Sequence, residues 1–307
     1  MPQLDQHQSS TAVKCLLVGH SGSGKTGLLG TLANAGYRLF IEDFDNGLDV
    51  LMDPAVIKPE NRKNVFYKTF TDKLGARGIP TVPPSAALNA MNALNNWIET
   101  GEDGKSIAMG SVYTWGPKDV VVIDSLTLFG NSILRGVLSM VGRPGGPPQI
   151  QDWGEAMRQQ EAVIEQLYAE AVKCNVIVTA HIILGDDPNN PSAQKGYPSA
   201  LGNKLPPKIG SYFNTILQCE KLPGIGNAAP IRQIRTQASH NMELKNSKPS
   251  MIGPIMPPDL AAIFSILKGE SNAANQTPAS VAPSGGATVG SNQPAQGPAG
   301  WSGPAQR

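Results

Sequence analysis

Short continuous apolar runs alternate along this chain with longer stretches of helical period. Val13–Val18 (VKCLLV) is the first run and reads as a strand, the glycine-rich Gly19–Thr26 follows, and Thr26–Ala35 reads as a helix. Tyr37–Ile41 (YRLFI) predicts a second strand that runs into the acidic residues Glu42, Asp43 and Asp45, and Val65–Phe70 predicts a third. Ser85–Thr100 places Ala, Leu, Met and Trp97 at helical spacing. Val120–Ile123 (VVVI) is β-branched, and a helical stretch follows it to about Met140. Asp152–Lys173 sets Met157, Ile164, Leu167, Tyr168 and Ala171 on one face at a 3.6-residue period, the mark of an amphipathic helix. Val176–Ala180, Thr215–Cys219 and Ile231–Arg235 predict the remaining strands. Continuous apolar strands alternating with helices indicate an α/β fold, with a mainly parallel central sheet and helices on both faces.

Composition divides the chain. From Ser271 to Arg307 Gly, Pro, Ala, Ser and Gln dominate, Arg307 is the only charge and Trp301 the only large apolar side chain. Such a segment buries too little apolar surface to offset its ordering entropy, so residues 271–307 are expected to be a disordered tail. Residues 1–11 are polar and are expected to be a flexible N-terminus, leaving one domain over 12–270. The balance of 25 Lys and Arg against 24 Asp and Glu excludes a basic nucleic-acid coat. Cys15, Cys174 and Cys219 are too few and too far apart for a disulfide scaffold and read as reduced core residues. No apolar run approaches a membrane span, and MPQLDQHQSS lacks the basic and apolar regions of a secretory signal. A soluble, cytoplasmic protein with no membrane partner is the expectation.

The candidate chemistry is local. Gly19-His20-Ser21-Gly22-Ser23-Gly24-Lys25-Thr26 satisfies G-x-x-x-x-G-K-[ST] between an apolar strand and a helix. Glycines let the backbone wrap a phosphate with its N–H groups inward, and the helix adds its positive end. In that role Lys25 reaches the β- and γ-phosphates of ATP and the Thr26 hydroxyl coordinates Mg²⁺. Asp124, at the end of the VVVI run, is the expected carboxylate that holds Mg²⁺ through water; capping of the next helix, shared with Ser125, is the other reading. Hydrolysis also needs a group to orient the attacking water, and Asp45 and Asp43 are the candidates, against a merely solvated acidic turn. His181, at the end of Val176–Ala180, is placed to sense the γ-phosphate, unless it is simply a satisfied strand-end histidine.

The order of these motifs resembles the RecA-like P-loop NTPases. More narrowly, VVVIDSLT (Val120–Thr127), QDWGEAM (Gln151–Met157), NVIVTAHI (Asn175–Ile182) and YPSALGNKLPPKIGSYFN (Tyr197–Asn214) resemble phage-encoded AAA-type ATPases of the Sak group. The resemblance covers about residues 13–250. It implies a RecA-like ATPase acting on single-stranded DNA in phage recombination or annealing, self-associated into a ring or filament in the host cytoplasm. Two departures stand out. Asp43-Phe44-Asp45 replaces the Asp-x-Glu turn of many relatives, and Lys245-Asn246-Ser247-Lys248 stands where relatives carry a Lys-Asn-Arg element that reaches a neighbour's nucleotide. Lys245 or Lys248 would have to act in trans instead of the missing Arg.

In RecA-like proteins the loops after the Asp-Ser strand and after the sensor strand hold DNA. Here they would be Gly142–Gln151, with Arg143, and Leu184–Lys208, with Lys195, Lys204 and Lys208 against Asp186 and Asp187. That is a thin footprint where phosphate neutralisation normally dominates affinity. Lys58–Arg77 holds a larger local excess of basic residues, which a solvated surface would also explain. Tyr197, Tyr212 and Phe213 could stack on bases, core packing being the alternative for the last two. The tail, anchored by Trp301, would recruit a single-strand-binding protein or serve as a spacer. A replicative helicase or packaging motor of the same fold and a weakly hydrolysing nucleotide-binding regulator stay open beside the recombination ATPase.

Overall fold

Valine and isoleucine build the middle of the sheet, because β-branched side chains pack well on a pleated surface covered on both faces. The computed structural model describes residues 12–187, 190–224, 228–239 and 242–270, the side chains of Arg77 and Pro191 excepted. The chain divides into Met1–Ala273 and Ala274–Arg307, the second wholly outside the described residues. The expected flexible N-terminus, the tail and Trp301 also lie outside them.

In chain order the elements are β1 (Lys14–Val18), α1 (Lys25–Asn34), β2 (Arg38–Asp43), β3 (Val65–Thr69), α2 (Ala86–Asn95), β4 (Trp97–Thr100), β5 (Ser106–Gly110), β6 (Asp119–Asp124) and α3 (Leu126–Met140). There follow α4 (Ile150–Tyr168), β7 (Asn175–Ala180), β8 (Ile182–Asp187), β9 (Asn190–Pro198), α5 (Leu205–Ile209), β10 (Thr215–Leu222), β11 (Ile231–Arg235), β12 (Ile255–Met256) and α6 (Leu260–Lys268). Eight strands form one sheet in the order β12-β11-β10-β1-β7-β6-β2-β3. Pairing is parallel from β10 through β3, and only β11 and β12 join antiparallel. Alternate residues of β1 feed opposite cores. Cys15 and Leu17 pack with α1 and α6, whereas Leu16 and Val18 join the cluster beneath α2, α3 and α4. The fold class read from the sequence is the one observed: a mainly parallel α/β sheet with helices on both faces.

Four expectations need correction. Helical spacing over Ser85–Thr100 carries only as far as Asn95, and Trp97 instead begins the β4–β5 hairpin. Asn95 and Asn96 favour local hydrogen bonds over helix, and Trp97 is fully buried 5.4 Å from the Phe40 ring, edge to face. The helix expected to reach Lys173 ends at Tyr168, where Lys14 Nζ donates to the carbonyls of Tyr168 and Ala169 at 2.9 and 2.8 Å and satisfies two helix-end acceptors. Leu184–Lys208 is not one long loop: much of it is the antiparallel β8–β9 hairpin, followed by α5. Finally, β12 and α6 close the domain without having been foreseen. Asp259 Oδ1 caps α6 by accepting from Ala262 N at 3.1 Å, and Leu260 N donates to Thr31 Oγ1 of α1 at 3.1 Å.

Candidate nucleotide site

The parallel strands bring their carboxyl ends together, the customary place for a ligand in an open α/β sheet. The phosphate loop leaves β1 there and enters α1. Gly19 has no room for a side chain: a Cβ would stand 2.5 Å from Ser23 Oγ and 2.8 Å from the Cys219 carbonyl oxygen. No side chain caps α1, and its first turn holds no acidic residue, so its positive end is left for an anion. The Ser23 hydroxyl is buried without a hydrogen-bond partner among the described residues. Lys25 is buried and donates to the carbonyls of Gly19 at 2.9 Å and His20 at 3.2 Å. Burial lowers its pKa, and the Asp124 carboxylate opposes that shift. The loop therefore fits a phosphate group.

Asp124 is the hub beside it. Thr26 Oγ1 donates to Asp124 Oδ2 at 2.7 Å, and Thr179 Oγ1 donates to Asp124 Oδ1 at 2.5 Å. Burial raises the Asp124 pKa, and the two hydroxyl donors hold it back. No group of three or more His, Cys, Asp or Glu among the described residues would hold a metal ion. A cation here would need oxygens from a nucleotide in addition to Thr26 and Asp124, as Mg²⁺ sites on phosphates do.

The two carboxylates after β2 have different surroundings. Asp43 is buried, accepts from the backbone N–H groups of Asp45 at 3.1 Å and Gly47 at 3.4 Å, and accepts from Thr69 Oγ1 at 3.3 Å. Its carboxylate shapes its own turn. Asp45 is half-buried and reaches across to β6 and β7: Oδ1 accepts from Ser125 N at 3.1 Å and Ser125 Oγ at 2.8 Å, and Oδ2 stands 3.5 Å from His181 Nε2. The His181 backbone is itself held, its N–H donating to Thr127 Oγ1 at 3.2 Å. Thr26, Asp124, Ser125, Asp45 and His181 are thus linked in one network at the carboxyl ends of central strands, with Lys25 held by the Gly19 and His20 carbonyls in the loop of Gly19, His20, Ser21, Gly22, Ser23 and Gly24 beside them. Thr179 belongs to the same network. Thr179 was missed, although it is the one polar residue in Val176–Ala180.

The basic candidates are placed otherwise. Arg143 Nη2 holds Asp152 at 2.8 and 2.6 Å, Lys195 pairs with Glu243, and Lys208 pairs with Glu161. Lys204 is exposed, with no ion pair among the described residues. Lys245 Nζ donates to the Gly210 carbonyl at 2.8 Å, and Lys248 lies near Gly269. Phe213 is buried, and the Tyr212 hydroxyl donates to Glu161, so both serve packing.

The sequence profile of the AAA domain matches residues 11–247. No curated protein matches the chain. Among solved structures the RadB recombinase is similar at 15% identity and a TM-score of 0.39, over 77% of this chain and 83% of that one. A prototypical ATPase from the type III secretion system of pathogenic bacteria is similar at 16% identity and a TM-score of 0.37, over 68% of this chain and 51% of that one. The ATPase EscN of enteropathogenic E. coli, solved with its central stalk EscO, is similar at 14% identity and 0.39, over 76% and 48%. The chain spans about half the length of these two secretion ATPases. With a matched profile that covers the phosphate loop, Asp124 and His181, the chain belongs to the AAA domain family and is a P-loop ATPase.

Proposed function

We propose that the chain hydrolyses ATP with Mg²⁺ and does so on single-stranded DNA, as a RecA-like ATPase of the phage Sak group in recombination or annealing. One observation carries the hydrolytic part: Asp124 binds the Thr26 hydroxyl of the phosphate loop, while the next residue, Ser125, binds Asp45. Lys25 binds the terminal phosphates, and Thr26 and Asp124 hold the metal. Mg²⁺ supplies charge neutralisation on the phosphates. Asp45 orients water, being the carboxylate that faces the network rather than its own turn, and His181 beside it reports on the γ-phosphate. The DNA part is supported by the Sak-type segments. Self-association into a ring or filament, with Lys245 or Lys248 acting in trans, belongs to the same reading, as does recruitment of a single-strand-binding protein by the tail.

A weakly hydrolysing regulator is favoured by one specific feature: Asp45 is shorter than Glu and already accepts two hydrogen bonds from Ser125. ATP turnover with and without single-stranded DNA separates the readings. Turnover is expected to rise with DNA, to vanish in Lys25→Ala, and to fall about 10²-fold or more in Asp45→Asn, the scale of a lost general base. Turnover unchanged in Lys25→Ala would sink the phosphate-loop assignment. No stimulation together with no DNA retention at low salt would sink the recombination reading.

A further inference from the structure

Beside the phosphate loop, β10 and β11 carry two cations that have no ion pair among the described residues. Their antiparallel register sets Cys219 against Ile234 and Lys221 against Arg232. Side chains two residues apart in a strand share a face. Lys221 and Arg232 therefore stand on the face of Cys219 and Ile234, which are buried in the core cluster of α1 and α6. That face meets the loop. Arg232 Cδ and Nε lie 3.1 Å from where a Cβ on Gly24 would stand, and Gly24 has a left-handed φ of 102°. Only glycine admits both that backbone and that neighbour.

Like charges directly opposite one another on a ladder are destabilising. Lys221 and Arg232 are both exposed, and neither has an ion pair or hydrogen bond among the described residues. The other face of the same hairpin is neutralised: Glu220 accepts from Arg235 Nε at 2.7 Å and from Gln233 Nε2 at 2.7 Å. An unanswered Lys–Arg pair against a phosphate loop has the charge and the geometry to take an anion.

We propose that Arg232, supported by Lys221, is a nucleotide-binding residue outside the loop motif, its guanidinium donating to phosphate oxygens of the bound nucleotide. This rests on the phosphate-loop reading and extends it to β10 and β11. A planar fork of N–H donors suits phosphate oxygens, and Lys221 adds an unoriented charge beside it.

The test is calorimetric titration of MgATP into the full chain and into Arg232→Ala, Arg232→Gln, Arg232→Lys and Lys221→Ala. Loss of the charge-assisted contact is expected to weaken MgATP about tenfold in Arg232→Ala and Arg232→Gln. Arg232→Lys is expected to recover part of the loss, and Lys221→Ala to lose less than Arg232→Ala. Added salt should narrow the gap between wild type and variants. Thermal melting of the nucleotide-free variants at the wild-type temperature shows that the exposed substitutions leave the fold intact. MgATP affinity in Arg232→Ala and Arg232→Gln within about twofold of wild type overturns the proposal while leaving the loop assignment standing. A wild-type chain that binds no MgATP overturns the loop assignment itself, and the Arg232 role falls with it.

Discussion

Glu42 shows how one residue at the site's edge departs from the sheet's pattern. It lies between Phe40 and Phe44 on the sheet face toward α3 and is fully buried, and neither carboxyl oxygen has a hydrogen-bond partner among the described residues. Burial raises its pKa well above the ordinary carboxylate value, so the folded state favours the protonated acid. The stability this gives is complete below the unfolded value of about 4.3 and is lost as pH rises through the folded value. Glu42→Met, of similar size and uncharged, is expected to stabilise the chain by ~1–3 kcal/mol near pH 8, on the scale of a buried unsatisfied polar group. The gain should shrink toward pH 4.5, where the ionisation part of the cost is lost, as read from melting temperatures across that range. Parallel pH curves for wild type and variant would contradict it. Asp43 and Asp45 make the complementary point. They are two residues apart and alike in sequence, yet one supports its own turn and the other reaches Ser125, a distinction set by side-chain direction and burial.

At the scale of elements, α4 shows how an expected functional charge came to have a structural use. The RecA-like resemblance makes Arg143, the only charge in Gly142–Gln151, a candidate DNA contact because that loop follows the Asp-Ser strand. In the fold it grips Asp152, which also accepts from Gln149 N at 2.6 Å and so fixes the first turn of α4. The Gln149 N–H, and then Arg143, hold the Asp152 carboxyl below its usual range. For a depressed carboxylate the contribution is present above the unfolded value of about 3.9 and is lost as pH falls through the folded value. Asp152→Asn should therefore lower the melting temperature at pH 7, with the gap to wild type closing toward pH 3; a gap constant with pH would refute this. The hairpins β4–β5 and β8–β9 were hidden for another reason. Their apolar residues are few, Ile98 and Leu184 are exposed, and their pairing depends on partners that a local period does not reveal.

For the whole molecule, no helix among the described residues is long and apolar enough to cross a membrane. The proposed assembly predicts that MgATP converts the chain to a larger species in sedimentation velocity. Lys25→Ala should stay at the smaller size, and a wild-type chain unmoved by saturating MgATP would remove the ring or filament. The sequence by itself determined what is contiguous. Eight consecutive residues make the phosphate loop, β-branched runs make the central strands, and their alternation with helices makes a parallel sheet, because each of these depends on neighbours along the chain. Only the tertiary structure decided which polar groups meet. Asp45 and Ser125 are 80 residues apart, Thr179 and Asp124 are 55 apart, and Arg143, Lys195 and Lys208 find acidic partners rather than open solvent. Arg232 arrives at Gly24 from the far strand of a hairpin. These meetings follow from strand order and register, which the packing of the whole sheet selects and no local pattern records.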